Sequence, residues 1–428
     1  MMSRKTPAGL WVLLALVCGT AAVGLGQEDE QKESWLGEWD LHGYYELRAG
    51  YRTRKDPYEK DMSLMETRLQ LDASTYNDWA DFKFKGDVYG DLVLEEAEFD
   101  LREANIFTRP TDYMDLKIGR QILTWGTGDL IFINDLFPKD WQAFLIGRDT
   151  EYLKAPSDAG KVSLFSDLAD VDFVYTPQFD SDRFINGERL SYWSGNLQSL
   201  AGRNAIVHTN KPDRWFRDDE FALRVYKNIN NYEYAMYGYW GYWKSPGGQT
   251  LPPAPQAIFP DLNVYGASVR GAVGPGIGNV EFGYYESADD LSGTNPLVNN
   301  SELRFLVGYT QEIGHDFTLG LQYYIEHMLN YGEYLDSLPG GPARDRDRNL
   351  VTMRLTKQLL KQTLTASLFT YWSPTDKDVY FRPNINYKVT DDLAVELGAN
   401  IFFGDHPNTF FGQFENDSNI YTAFRYTF

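Results

Sequence analysis

Beyond residue 38 the chain reads as an alternation of apolar and polar positions. Leu41, Gly43, Tyr45, Leu47, Ala49 and Tyr51 interleave with His42, Tyr44, Glu46, Arg48 and Gly50. Leu303, Phe305, Val307 and Tyr309 interleave with Glu302, Arg304 and Gly308, and Leu393, Val395, Leu397, Ala399, Ile401 and Phe403 repeat the pattern near the end. A period of two places the two sets on opposite faces of a strand. The runs are about 9–13 residues long, beyond the ~5–6 usual in soluble sheets and close to the ~9–11 that a tilted strand needs to cross a bilayer.

The pattern predicts eighteen strands, at 39–51, 62–75, 80–88, 95–108, 114–124, 160–167, 171–177, 218–227, 231–243, 262–273, 278–287, 301–312, 316–327, 348–357, 362–372, 378–389, 392–403 and 418–428. Links leaving odd strands are mostly long, among them 125–159 and 178–217. Links leaving even strands are short, such as Tyr76-Asn-Asp-Trp79, Asn228-Ile-Asn230 and Thr390-Asp391. Loops sorted by length in this way fit an all-β, antiparallel, up-and-down transmembrane barrel with short periplasmic turns and longer outer loops. In the last strand Ile420, Thr422, Phe424, Tyr426 and Phe428 share one face. Here the chain resembles the bacterial outer-membrane barrel class. That resemblance implies that Phe424, Tyr426 and Phe428 form an assembly signal read by the barrel-assembly machinery.

Composition fits this reading. Mean hydropathy is −0.44, and no stretch after residue 26 approaches the ~20 apolar residues of a spanning helix. The net charge of −21 and pI near 4.7 exclude strong nucleic-acid binding, which needs clustered cations. Arg4 and Lys5, the apolar run Leu10–Val17 and the small residues up to Gly26 read as a secretory signal peptide. The expected plan is a signal peptide at 1–26, an acidic periplasmic segment at 27–38 and an outer-membrane barrel at 39–428. The only cysteine, Cys18, falls in the signal segment, leaving the mature chain without disulfides or thiolate metal sites.

If the apolar set meets lipid, the other set faces the lumen, because a cation on the lipid side costs up to ~2–4 kcal/mol at the midplane. The inward cations are Arg48, Arg68, Lys83, Lys85, Arg102, Arg224, Arg270, Arg304, Arg354, Arg382 and Arg425. The inward acids include Glu46, Glu66, Asp87, Glu98, Asp100, Glu233, Glu302, Glu326 and Glu396. Two readings of the cations stand side by side, a track for anionic or hydroxylated solutes and a set of wall-stiffening ion pairs. Tyr234, Tyr237, Tyr239, Trp240, Tyr242, Trp243, Tyr371 and Trp372 suit an aromatic girdle at the membrane surface, with a ligand path as the other option.

Between 119 and 160 alternation stops, while Leu130, Ile131, Phe132, Leu136, Phe137, Trp141, Phe144 and Leu145 keep the stretch apolar. A loop of this kind belongs inside the barrel, where it constricts the pore. Trp125, Gly126, Gly128, Asp129, Asn134 and Asp135 mark this constriction loop, the two glycines permitting a sharp bend. Gly119-Arg120-Gln121 followed by Trp125-Gly126 resembles the alginate-export family and related eighteen-stranded porins. The resemblance implies a channel for acidic polysaccharides or small anions.

The five histidines show no metal-ligand or triad spacing, so no catalytic residues, metal or cofactor are assigned and no enzyme activity is expected. The leading expectation is an outer-membrane porin that passes small hydrophilic solutes, anionic or saccharide ones included, with bilayer lipid around it. The alternative classes are a barrel sheathing a periplasmic or extracellular protein partner, such as an export or electron-transfer complex, and a hydrophobic-solute transporter.

Overall fold

The computed structural model describes residues 36–251, 255–340 and 342–428. The expected signal peptide and nearly all of the acidic segment lie outside the described residues. Eighteen long strands form one sheet: β1 (Asp40–Arg52), β2 (Met62–Tyr76), β3 (Asp81–Asp91), β4 (Glu96–Thr111), β5 (Met114–Gln121), β6 (Ser157–Leu164), β7 (Asp170–Thr176), β8 (Glu220–Ile229) and β9 (Tyr232–Tyr242), followed by β10 (Asp261–Val273), β11 (Gly276–Ser287), β12 (Glu302–Gly314), β13 (Phe317–Met328), β14 (Asp347–Leu359), β15 (Leu364–Ser373), β16 (Asp378–Lys388), β17 (Leu393–Gly404) and β18 (Asn419–Thr427). Each strand pairs antiparallel with its chain neighbours. β7 meets β8 across the long 177–219 loop, and β18 closes on β1 from Tyr44 opposite Thr427 to Arg52 opposite Asn419. Closure removes both sheet edges, so every wall amide can find a partner inside lipid.

All eighteen predicted strands are present, with small shifts at their ends. β5 stops at Gln121 instead of 124 and β6 begins at Ser157 instead of 160, because the chain turns inward once Leu123 is buried. The exposed apolar rows, including Leu47, Leu71, Phe84, Phe305, Leu321, Leu397 and Phe424, all lie on the outer face, where hydrocarbon is the natural solvent. Glu46, Arg48, Glu66, Arg68, Asp87 and Arg102 are buried on the inner face.

Alternation is interrupted in β4. A β-bulge between Lys85 and Gly86 of β3 leaves Arg102 as the extra residue of β4, with Glu103 opposite Lys85. Alternation carried straight through β4 would send Glu103 to lipid, whereas the bulge turns it inward to face Lys117 at 3.6 Å. At the seam, the Phe428 and Gly43 backbones exchange hydrogen bonds of 2.9 and 3.0 Å. A Cβ on residue 43 would run into the backbone carbonyl of Gln70 and would lie 2.7 Å from the Phe428 ring, so glycine is required there.

Candidate functional site

The 35-residue link between β5 and β6 enters the barrel as expected from its apolar content. It carries a one-and-a-half-turn helix, α1 (Trp141–Ile146), and a 3-10 turn at Thr150–Leu153. Asp140 caps α1, its side chain accepting from the Ala143 amide at 2.7 Å. Ile131, Ile133, Phe137, Phe144, Leu145, Ile146 and Leu153 are buried against inward residues of the far wall, among them Leu306, Tyr324, Leu350, Tyr371, Tyr380 and Phe402. Apolar burial of roughly 1.5–3 kcal/mol per large side chain is what draws the segment into the lumen.

Polar anchors fix its path. Buried Glu281 of β11 accepts five hydrogen bonds: from the Thr127 amide (2.8 Å) and hydroxyl (3.0 Å), the Gly128 amide (3.1 Å), and the Asn134 amide (2.8 Å) and side chain (3.0 Å). Gly126, at φ 79°, makes the bend that brings these donors together, and a Cβ there would lie 2.9 Å from the same carboxylate. Gln322 of β13 bonds both the amide (2.7 Å) and the carbonyl (2.8 Å) of Asp129. Arg354 of β14 grips the Asp129 carboxylate with two bonds of 2.5 and 2.7 Å. The Tyr371 hydroxyl donates to the Leu130 carbonyl at 2.8 Å and Tyr380 to that of Phe144 at 3.2 Å. Trp125 packs edge-on against Phe137, centroids 5.0 Å apart, and Asp135 takes bonds from Thr124 (2.8 Å) and Lys139 (3.0 Å).

The eleven predicted lumen cations all face inward, and seven of them meet this segment. Arg48 donates to the Gly147 carbonyl (2.7 Å), Arg102 to those of Glu151 (3.1 Å) and Lys154 (2.8 Å), and Arg425 pairs with Asp149 (2.9 Å). Lys85 reaches Glu151 at 3.4 Å, Arg68 lies 4.4 Å over the Tyr152 ring, Arg382 lies 4.2 Å over Phe144, and Arg354 holds Asp129. Three others pair within the wall: Lys83 with Asp72 (2.5 Å), Arg224 with Glu233 (2.7 Å) and Arg304 with Glu302 (2.8 Å). Arg270 is exposed to the lumen and, among the described residues, has no carboxylate within ion-pair distance. Most of these side chains therefore hold the constriction in place.

The densest part of this network centres on Glu66 of β2. Its carboxylate contacts Arg148 of the segment (2.5 Å), Arg68 of β2 (3.1 Å) and Arg189 of the 177–219 loop (4.0 Å), all four groups being nearly excluded from water. Arg183 of the same loop pairs with Asp100 of β4 (2.7 Å) and with Asp140 beside α1 (3.3 Å). Burial opposes charge on Asp149, but Arg425, the Glu151 amide and Arg48 outweigh it and hold that carboxyl below the usual aspartate range.

Sequence reasoning overlooked Glu281, Glu103, Arg148 and Arg189. Glu281 stands between Val280 and Phe282, so alternation carried through β11 would have turned it inward, although nothing local names its partners. The aromatic expectation needs correcting. Tyr234, Trp240 and Trp372 do face lipid, whereas Tyr237, Tyr239, Trp243 and Tyr371 are buried inside the barrel. Neighbouring aromatics on one strand fall on opposite faces, and the inward set packs on the constriction. Among the described residues no group of three or more His, Cys, Asp or Glu is placed to hold a metal ion.

No protein-family model and no curated protein matches the chain. Solved structures do. OccAB2 of Acinetobacter baumannii is similar at TM-score 0.56 and 10% identity, over 93% of this chain and 99% of that one. OccAB4 of the same organism gives 0.55 and 11%, over 93% and 100%. OccK11 of Pseudomonas aeruginosa gives 0.52 and 10%, over 90% and 95%. At such identities the likeness shows the fold: the chain is a closed eighteen-stranded barrel of the kind found in these outer-membrane porins.

Proposed function

We propose that the chain is an outer-membrane channel whose lumen, narrowed by the 122–156 segment, passes small hydrophilic solutes. The observation that carries this is the inner face beside the constriction. Arg354 and Asp129 remain 36% and 45% exposed although paired, and Arg270 is exposed nearby, so water and a polar solute can reach charged groups at the narrowing. A cavity of about 290 Å³ at the periplasmic mouth, lined by Glu46, Asp149, Asn386, Glu396 and Arg425, gives such a solute a polar antechamber. The Gly119-Arg120-Gln121 resemblance implies acidic polysaccharides or small anions and does not choose between them. Location in the outer membrane after loss of residues 1–26 belongs to the same proposal.

Purified protein in planar bilayers is expected to give stepwise conductance. Arg270→Glu, which breaks no ion pair among the described residues, is expected to move the reversal potential toward cations without altering the fold. A well-folded barrel that carries no current would overturn the channel reading in favour of the sheath alternative.

Recognition of Phe424, Tyr426 and Phe428 by the assembly machinery is likewise a proposal, supported by their outward faces and by the Phe428–Gly43 seam. Deleting Phe428 is expected to lower the amount of heat-modifiable, folded barrel in outer membranes several-fold. The same deletion should spare refolding in detergent much more. Equal losses in both settings would assign Phe428 to closure alone.

A further inference from the structure

The outer loop 177–219 ends in a short knuckle, residues 211–217, that takes no part in the constriction. Trp215 and Phe216 are 55% and 70% exposed, with ring centroids 5.9 Å apart. Phe216 has φ 59°, a conformation that a bulky residue adopts only when its surroundings impose it. They do so here. Buried Asp218 accepts from the Asp213 amide (3.0 Å), the Arg214 amide (2.9 Å) and the Arg214 guanidinium (3.1 and 2.8 Å). The Phe216 amide donates to the Pro177 carbonyl at 2.7 Å, and the Tyr175 hydroxyl to Asp219 at 3.0 Å. The fold thus spends a cage of hydrogen bonds on holding two aromatic rings away from protein.

The place where it holds them identifies the occupant. The knuckle stands just beyond the outer ends of β7 and β8, whose outward rings Phe173 and Tyr175 lie 6.1 and 5.0 Å from Phe221. The outward row continues across β9 to β11 as Trp240, Tyr265 and Tyr284, with spacings of 6.0 and 6.4 Å. This row suits an outer aromatic girdle, and the knuckle is tied to the chain just past β7, beside that row, by the Phe216 amide on the Pro177 carbonyl. Charge agrees with this position. Spans 286–300 and 404–418 contain no Lys or Arg, whereas the knuckle carries Lys211, Arg214 and Arg217 against Asp213, and Arg214 is already taken by Asp218. Exposed Arg217 has no carboxylate within ion-pair distance among the described residues.

We propose that the knuckle docks on phosphorylated lipid of the outer leaflet, with Trp215 and Phe216 at the boundary between headgroups and acyl chains and Arg217 paired with a lipid phosphate. Aromatic rings favour that boundary, and a guanidinium matches phosphate in bidentate fashion. The proposal rests on the outer-membrane reading, and its test separates the two. Single cysteines replace Phe216 and, as a control on the lipid belt, Phe305, each in the full chain carrying Cys18→Ser. Both are labelled with an environment-sensitive fluorophore in vesicles whose lipids are brominated on shallow acyl carbons. Strong quenching is expected at both positions. In detergent, Arg217→Glu is expected to retain several-fold less added diphosphoryl lipid A than the unaltered chain. Quenching at 305 but not at 216, or retention untouched by Arg217→Glu, would overturn the proposal alone. No quenching at either position would overturn the bilayer-spanning reading itself.

Discussion

Glu281→Ala is expected to raise single-channel conductance several-fold while leaving the barrel wall intact. The substitution removes the acceptor for three backbone amides, of Thr127, Gly128 and Asn134, and for two side chains. A buried donor left without a partner costs about 1–3 kcal/mol. If the segment stayed where it is, the three amides would bear that cost together. The cost disappears when the stretch around 126–135 moves into water, so the substitution favours an opened state. The apolar anchors Ile131 and Ile133 oppose release, as does the Arg354–Asp129 clasp.

The direction is set by the contacts that survive. Residues 140–153 keep their own attachments to Glu66, Arg48, Arg102 and Tyr380, so the opening is confined to the side of the lumen next to β11–β14. Glu281→Gln keeps one strong acceptor and is expected to fall between Ala and the unaltered chain. Two measurements check the expectation: step size in planar bilayers, and protease cleavage between 125 and 135 at constant heat-modifiability. Unchanged conductance together with new cleavage would mean that this stretch does not limit the path.

The strands were legible because lipid imposes a binary rule on one face, which the runs follow except where β4 is bulged. The constriction was legible for the opposite reason, as the one long apolar stretch between strands without a period. What could not be read is which side chains meet across the lumen. Asn134 and Glu281 are 147 positions apart, and their contact depends on the curvature of the closed wall. The Lys85/Gly86 bulge shows a subtler limit. A single extra residue reverses alternation within β4, and its only local mark is Gly86 on the opposing strand. The aromatic cluster at 234–243 misled because ring abundance suggested one location, whereas the faces of β9 divide the rings between lipid and constriction.

Glu66→Ala is expected to cost about 3–5 kcal/mol of stability, the range for removing one partner of a buried charge network. Glu66 is the carboxylate that three arginines share, from the wall (Arg68), the constriction (Arg148) and the outer loop (Arg189). Arg68 retains Asp87 at 2.7 Å, and Arg189 retains Asp91. Arg148 is left worst placed, with Asp91 and Asp140 both at 3.8 Å. Its burial disfavours the charge, and Glu66 is the carboxylate that does most to keep it. Most of the loss should therefore be a penalty on Arg148, and removing Arg148 as well should recover part of it. The double substitution Glu66→Ala with Arg148→Ala is expected to be less destabilising than the sum of the single changes by roughly 1–3 kcal/mol. Denaturant midpoints of the four proteins, refolded in one detergent, supply the comparison. Additive costs would show that Arg148 finds other partners once Glu66 is gone. The Glu66 network would then not be what joins the constriction and the outer loop to the wall.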